Sequence, residues 1–201
     1  ACTAVVTEIT YHAAPTINAD ISFLSEAEWR AELAVLLDDL VDENGNLKRT
    51  TDLWSDSGVA WHKVHAVYPS IAQEQLIHLT VDQLLARDKD IAKVLGTTKE
   101  ISAENSTIFA QEIVKYINSK DQKQALLPFI RQVNVQCNAQ ALSTGAILVD
   151  LPGVTDANTA RSSIAKDYMK KCDCIWILAP ITHAVNDKTT RGIGIDLVPV
   201  S

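Results

Sequence analysis

No apolar run in this 201-residue chain reaches the roughly 18 residues a bilayer-spanning helix needs, so no transmembrane segment is expected. Cysteine is scarce. The four cysteines, Cys2, Cys137, Cys172 and Cys174, have no disulfide-framework spacing. Cys172-x-Cys174 is half of a metal-site pattern, but no second pair or nearby histidine completes it. Reduced core thiols in an intracellular compartment, cytoplasmic or nuclear, are therefore expected. No Lys/Arg-rich run occurs and the net charge is −7, which argues against nucleic acid or an anionic membrane as the partner. Internal repeats and low-complexity tracts are absent. So is any G-x-x-x-x-G-K-[ST] loop, the segment whose backbone N–H groups and lysine cradle nucleotide phosphates.

What remains is ordinary globular material, 47% hydrophobic and 21% charged, in a length that suits one domain with a sizeable core. Residues 3–12 alternate and are rich in Thr, Val and Ile, which predicts a strand. Ser25 and Glu28 form a capping-box pattern ahead of Trp29, Leu33, Leu36, Leu37 and Leu40, which share one helical face. Glu32 falls off that face, and Asn44-Gly45 reads as the stop. Further helices are expected over about 58–67, 70–77, 80–85 and 91–95, and a stronger one over 102–117. His62 and His65 lie among them without further ligands nearby, and Trp54 and Trp61 read as packing residues. Residues 133–139, 145–150 and 174–179 predict strands, the last two buried, with a helix over 157–171 between them. Alternation puts Cys174 inside the last strand. Strand, helix and strand together suggest a right-handed crossover and a parallel sheet.

The most informative stretch is Ala146-Ile147-Leu148-Val149-Asp150-Leu151-Pro152-Gly153. An apolar strand ends at a carboxylate, and a tight loop follows. Alone, this is often only a turn. In a phosphate-handling site, the strand end fixes the carboxylate where it can hold Mg²⁺ through water, and the glycine lets a backbone N–H approach a terminal phosphate.

Several segments together resemble the dynamin superfamily of large GTPases, in particular its dynamin-like nuclear GTPase branch with many fungal relatives. Ala1-Cys2-Thr3-Ala4-Val5-Val6-Thr7-Glu8-Ile9 resembles switch I running into the second strand. Ala141 to Gly145 with Ile147 to Val154 resembles the third strand and switch II. Cys172 to Pro180 resembles the next core strand, and Asn186-Asp187-Lys188-Thr189 the loop after it. The resemblance implies an α/β, P-loop NTPase-like G domain. It would have a partial, mainly parallel sheet and a large helical insert, truncated at both ends. Residues 1–19 would hold switch I and its strand, 20–127 the helical insert, 128–191 switch II and core strands, and 192–201 a tail that departs from the family. Carried over by motif, Thr3 would bind Mg²⁺ and orient the attacking water, with Thr7 as second choice. Asp150 would hold Mg²⁺ through water, and the Pro152-Gly153 turn would contact the γ-phosphate. GTP or GDP, and self-association through the GTPase domain, are the implied partners.

The same resemblance marks what these residues do not include. A phosphate loop should precede switch I, and a T/N-K-x-D guanine reader should follow a further strand. Thr98-Lys99-Glu100-Ile101 has Ile where the base-reading acid belongs, and Asn186-Asp187-Lys188-Thr189 lacks the final acid. Three readings stay open. One is a GTPase whose active form needs further residues. The second is a non-catalytic interaction module using the insert, and the third a piece with no function of its own.

Overall fold

The computed structural model describes residues 5–49, 55–117, 126–151 and 167–176. Its centre is a five-stranded sheet of β1 (Val6–Tyr11), β2 (Ile17–Phe23), β3 (Thr98–Ala103), β4 (Ile130–Cys137) and β5 (Leu148–Asp150), in the order β3-β2-β4-β1-β5. Only β1 and β4 run parallel. The β1–β5, β2–β3 and β2–β4 ladders are antiparallel. The sheet is thus mixed, where a mainly parallel one is expected from the sequence. Two strands not expected from the sequence, β2 and β3, and the antiparallel return of β5 along β1 make it so. β2 leaves β1 through the loop 12–16 and returns beside β4, and β3 covers its far side.

Strand alternation divides the sheet into two unlike faces. One carries Ala19, Ile21, Phe23, Val133, Val135 and Ile101, all buried in the core. On the other, paired residues form polar rows across four strands: Glu8–Asn134–Asp20–Glu100 and Thr10–Gln136–Asn18–Ser102. The Ser102 hydroxyl donates to Asn18 Oδ1 at 2.8 Å, and the Gln132 amide donates to Asn134 Oδ1. Glu8, Thr10, Asn18, Asp20 and Asn134 are half-buried there, and Val6, on the same side of β1 as Glu8, is buried.

Helices α1 (Glu26–Asp39), α2 (Asp56–Val67), α3 (Gln73–Leu76), α4 (Val81–Arg87), α5 (Lys89–Val94) and α6 (Ser106–Ile117) complete the described fold. The capping box at Ser25 forms as expected: its hydroxyl accepts from the Glu28 N–H, and the Glu28 carboxylate accepts from the Ser25 N–H at 2.8 Å. Trp29, Leu33, Leu36 and Leu40 are buried, and Trp29 meets Phe129 edge-on with ring centroids 4.7 Å apart. α1 ends at Asp39, earlier than the Asn44-Gly45 stop. Asp42 Oδ1 takes the N–H groups of Asn44 and Asn46, closing a tight hairpin bridged at Val41 and Leu47. Gly45 turns it at φ 78°, which a side chain rarely tolerates. Glu32 is a second correction. It lies on the buried face of α1, 6% exposed, because Lys63 of α2 reaches it in a buried ion pair.

The helices expected over about 58–67, 70–77, 80–85 and 91–95 form as α2 to α5, with α4 capped by a Thr80–Gln83 box and α5 by Asp88. The expected helix over 102–117 gives its first residues to β3 and starts at Ser106. The span 20–127 is consequently not helical throughout, since β3 and the end of β2 lie in it. At the other end, 174–176 form no strand, and Cys174 is exposed. The remaining expected strand residues, 177–179, lie outside the described residues.

Candidate functional site

β4 and β5 flank β1 on opposite sides. After β4 the chain makes a 3-10 turn at Gln140–Leu142, with the Gly145 N–H bonded to the Leu142 carbonyl at 3.0 Å, and crosses the C-terminal end of β1. β5 then runs back antiparallel to β1, pairing Leu148 with Ile9, Val149 with Glu8 and Asp150 with Thr7. Asp150 therefore stands beside the beginning of β1. The described residues that flank these strands, Val5 before β1 and Leu151 after β5, emerge at the same end of the sheet.

The strand that carries Asp150 is exposed at Leu148 and Asp150 and half-buried at Val149. That corrects the expectation of a buried strand over 145–150. Burial of such a run requires a neighbour on each side and cover on each face, and β5 has β1 as its one ladder partner among the described residues. Thr7, the second choice for switch I, is half-buried opposite Asp150, and its hydroxyl donates to the Val5 carbonyl at 3.4 Å. Thr3, Pro152 and Gly153 lie outside the described residues, as does most of the helix expected over 157–171. An exposed carboxylate suits a hard cation such as Mg²⁺, which keeps several waters and draws its other oxygens from phosphates. Among the described residues no group of three or more His, Cys, Asp or Glu gathers to hold a metal by protein ligands alone.

Sequence reasoning missed the contact next to this edge. Tyr168, in the helical stretch 167–169, lies beside Glu8 of β1 and Gln132 of β4. Burial first, and then the Glu8 carboxylate beside it, push the Tyr168 pKa up to about 12. Lys171 lies 5.5 Å from the centre of the same ring. Helical spacing marks Tyr168 as inward-facing, but nothing in the sequence names its carboxylate partner. The histidines stand apart from this end: His65 stacks on Trp61 at 4.6 Å, and His62 is exposed. Trp61 packs against the core as expected, and Trp54 lies outside the described residues. No helix among the described residues is long and apolar enough to cross a membrane.

The dynamin family model matches residues 1–193 of the chain. The nuclear GTPase SLIP-GC of Mus musculus is 26% identical over 196 residues, which cover 94% of this chain and 24% of that protein. Its Homo sapiens counterpart is 26% identical over 196 residues, covering 90% of this chain and 24% of its own length. The chain thus spans about a quarter of the curated relatives it matches. A solved chain from an oligomerised bacterial dynamin pair aligns with 85% of this chain and 20% of its own, at 13% identity and a TM-score of 0.42.

Proposed function

The chain belongs to the dynamin family, and from that premise we propose that it is the part of a GTP-binding, GTP-hydrolysing domain that senses the γ-phosphate. The observation that carries this reading is the antiparallel β1–β5 pair. It sets Asp150, which precedes Leu151-Pro152-Gly153 in the sequence, beside Thr7 near the start of the strand that follows Thr3 in the sequence. Two loops that leave adjacent strands at one end can close on one ligand, and both can be released when that ligand loses a phosphate.

In this reading Asp150 holds a Mg²⁺ ion through water, and Thr3 binds it directly and orients the attacking water. The Gly153 N–H, freed for close approach by the lack of a side chain, meets the terminal phosphate. Mg²⁺ would supply positive charge to the phosphate oxygens; the residues of this chain position and orient. The relatives named as nuclear GTPases make a nuclear site of action part of the proposal, and self-association through the GTPase domain a further part.

The test is single-turnover GTP hydrolysis by the full-length natural protein. Asp150→Ala should abolish Mg²⁺-dependent turnover. Thr3→Ala should slow it by about 100-fold or more, on the scale of losing one positioned transition-state contact, while GDP affinity stays near wild type. If Thr3→Ala hydrolyses GTP normally and Thr7→Ala does not, switch I is shifted onto β1. If neither variant matters, residues 1–9 are not switch I.

A further inference from the structure

Asparagine followed by glycine occurs once among the 201 residues, at Asn44-Gly45. The structure puts that pair at the tip of the hairpin that follows α1. Val41 and Leu47 bridge across it. The Lys48 N–H donates to the Leu40 carbonyl at 2.8 Å, and the Asp42 N–H donates to the Asn46 carbonyl at 2.8 Å. Glu43, Asn44, Gly45 and Asn46 are exposed. Leu47 is half-buried and packs against the core, so the hairpin is seated at its base and solvated at its end.

An asparagine side chain can be attacked by the next peptide nitrogen. A bond forms from that nitrogen to Cγ, the Cγ–Nδ2 bond breaks, and the peptide proton ends on the departing nitrogen as ammonia. Water then opens the cyclic imide at either carbonyl and gives aspartate or isoaspartate. Glycine hinders the attack least, because no Cβ crowds the nitrogen and its backbone turns freely. The folded hairpin opposes it. The Gly45 N–H donates to the Asp42 carbonyl at 2.9 Å, which holds the attacking nitrogen to another partner. Asp42 Oδ1 takes the N–H groups of Asn44 at 2.9 Å and Asn46 at 2.8 Å, and Oδ2 takes the Asn46 side-chain amide at 3.3 Å. The Asn46 N–H above all keeps the Asp42 carboxyl below its ordinary pKa, so it stays an ionised acceptor.

We propose that Asn44 is a covalent modification site, converted by water to aspartate and isoaspartate, and that opening of the hairpin closed by Asp42 sets the rate. An exposed tip held by a few hydrogen bonds opens locally well before the whole fold does. Opening frees the Gly45 nitrogen to attack. Either product adds a carboxylate next to Glu43 and close to Asp42, and isoaspartate also lengthens the main chain by a methylene. The Val41–Leu47 bridge and the bonds to Asp42 fit the shorter chain. The longer one strains them and loosens Leu47 at the edge of the core. The hairpin is thus a one-way switch after α1, timed by its own hydrogen bonds.

The experiment incubates the full-length natural protein at mildly alkaline pH and follows the Asn44 amide by peptide mass spectrometry. An isoaspartate-specific methyltransferase with a labelled methyl donor counts the rearranged product. A synthetic peptide of residues 40–48 gives the rate without the fold. The folded protein should lose the amide about tenfold more slowly than the peptide, or slower still. Asp42→Ala removes the side-chain acceptor of the Asn44 and Asn46 N–H groups and should speed the loss about tenfold. Asp42→Asn keeps an acceptor oxygen and should fall between. Asn105, whose Oδ1 accepts from the Ile108 N–H at 3.0 Å in the first turn of α6, is the internal standard and should react at one rate in all three proteins. Equal acceleration at Asn44 and Asn105 would mean that global unfolding sets the rate and would overturn the proposal. So would a folded protein that reacts as fast as the peptide, indifference to Asp42→Ala, or an amide that survives in the peptide.

Discussion

Lys63 and Glu32 are 9% and 6% exposed, and each is the other's counter-charge between α1 and α2. An ion pair removed from water contributes little net stability, because desolvation offsets attraction, yet removing one partner strands the other. Lys63→Ala should therefore destabilise the chain by about 3–5 kcal/mol, read by urea unfolding with tryptophan fluorescence. Lys63→Met combined with Glu32→Leu should recover most of that loss. If the single and double variants are equally unstable, packing rather than charge is responsible. Tyr168 gives a second residue-scale test. Its folded pKa is raised, so the stability it contributes is fully present below its unfolded value and is lost as pH rises through about 12. In an ultraviolet titration Tyr168→Phe should remove a late-ionising phenol, and Glu8→Gln should shift that ionisation to lower pH. An unchanged late phase in both variants would rule out the Tyr168–Glu8 contact.

At the scale of elements, α1 shows which features a sequence displays openly. Its cap, its apolar stripe and its length are local, so the residue order alone makes them legible. Ser25→Ala should cost about 1 kcal/mol and also raise the Glu28 pKa. Burial pushes the Glu28 carboxyl up, but the Ser25 N–H and hydroxyl, helped by Arg131, hold it below its ordinary value. The stability linked to Glu28 is thus present above its unfolded pKa and fades as pH falls through the lower folded one. An NMR titration in which Ser25→Ala leaves Glu28 unmoved would contradict this. β2 and β3 are illegible for the opposite reason. Ile17-Asn18-Ala19-Asp20-Ile21-Ser22-Phe23 alternates, but it stands where the family resemblance puts the start of a helical insert. Thr98-Lys99-Glu100-Ile101 begins an edge strand with exposed residues, and its meaning comes only from pairing with β2. Glu32 hides similarly, since its partner is on another helix. In the candidate site, Asp150 is legible as the end of an apolar run, whereas its place opposite Thr7 depends on a ladder between distant segments.

At the scale of the molecule, the β1–β5 ladder sets Asp150 beside Thr7 at one end of the sheet. Among the described residues, Asp150 offers one exposed carboxylate at this end, and the Thr7 hydroxyl opposite it is turned to its own backbone. Mg²⁺ sheds water reluctantly and binds such a site mainly through a nucleotide already held by its phosphates. The hold on those phosphates comes from a cradle of backbone N–H groups and a lysine, and no G-x-x-x-x-G-K-[ST] run occurs among these 201 residues. This stretch alone should therefore bind GTP with an affinity of about 1 mM or weaker, worth about 4 kcal/mol or less, and should not hydrolyse it. Titration of a fluorescent GTP analogue against the 201-residue chain, with and without Mg²⁺, measures this directly. Micromolar binding would show that the β1–β5 end holds phosphates by another route. Binding that survives Asp150→Ala would place the nucleotide elsewhere on the fold. Weak binding here, with tight binding by the full-length protein that Asp150→Ala leaves Mg²⁺-independent, would assign Asp150 to the metal and the affinity to residues beyond this stretch.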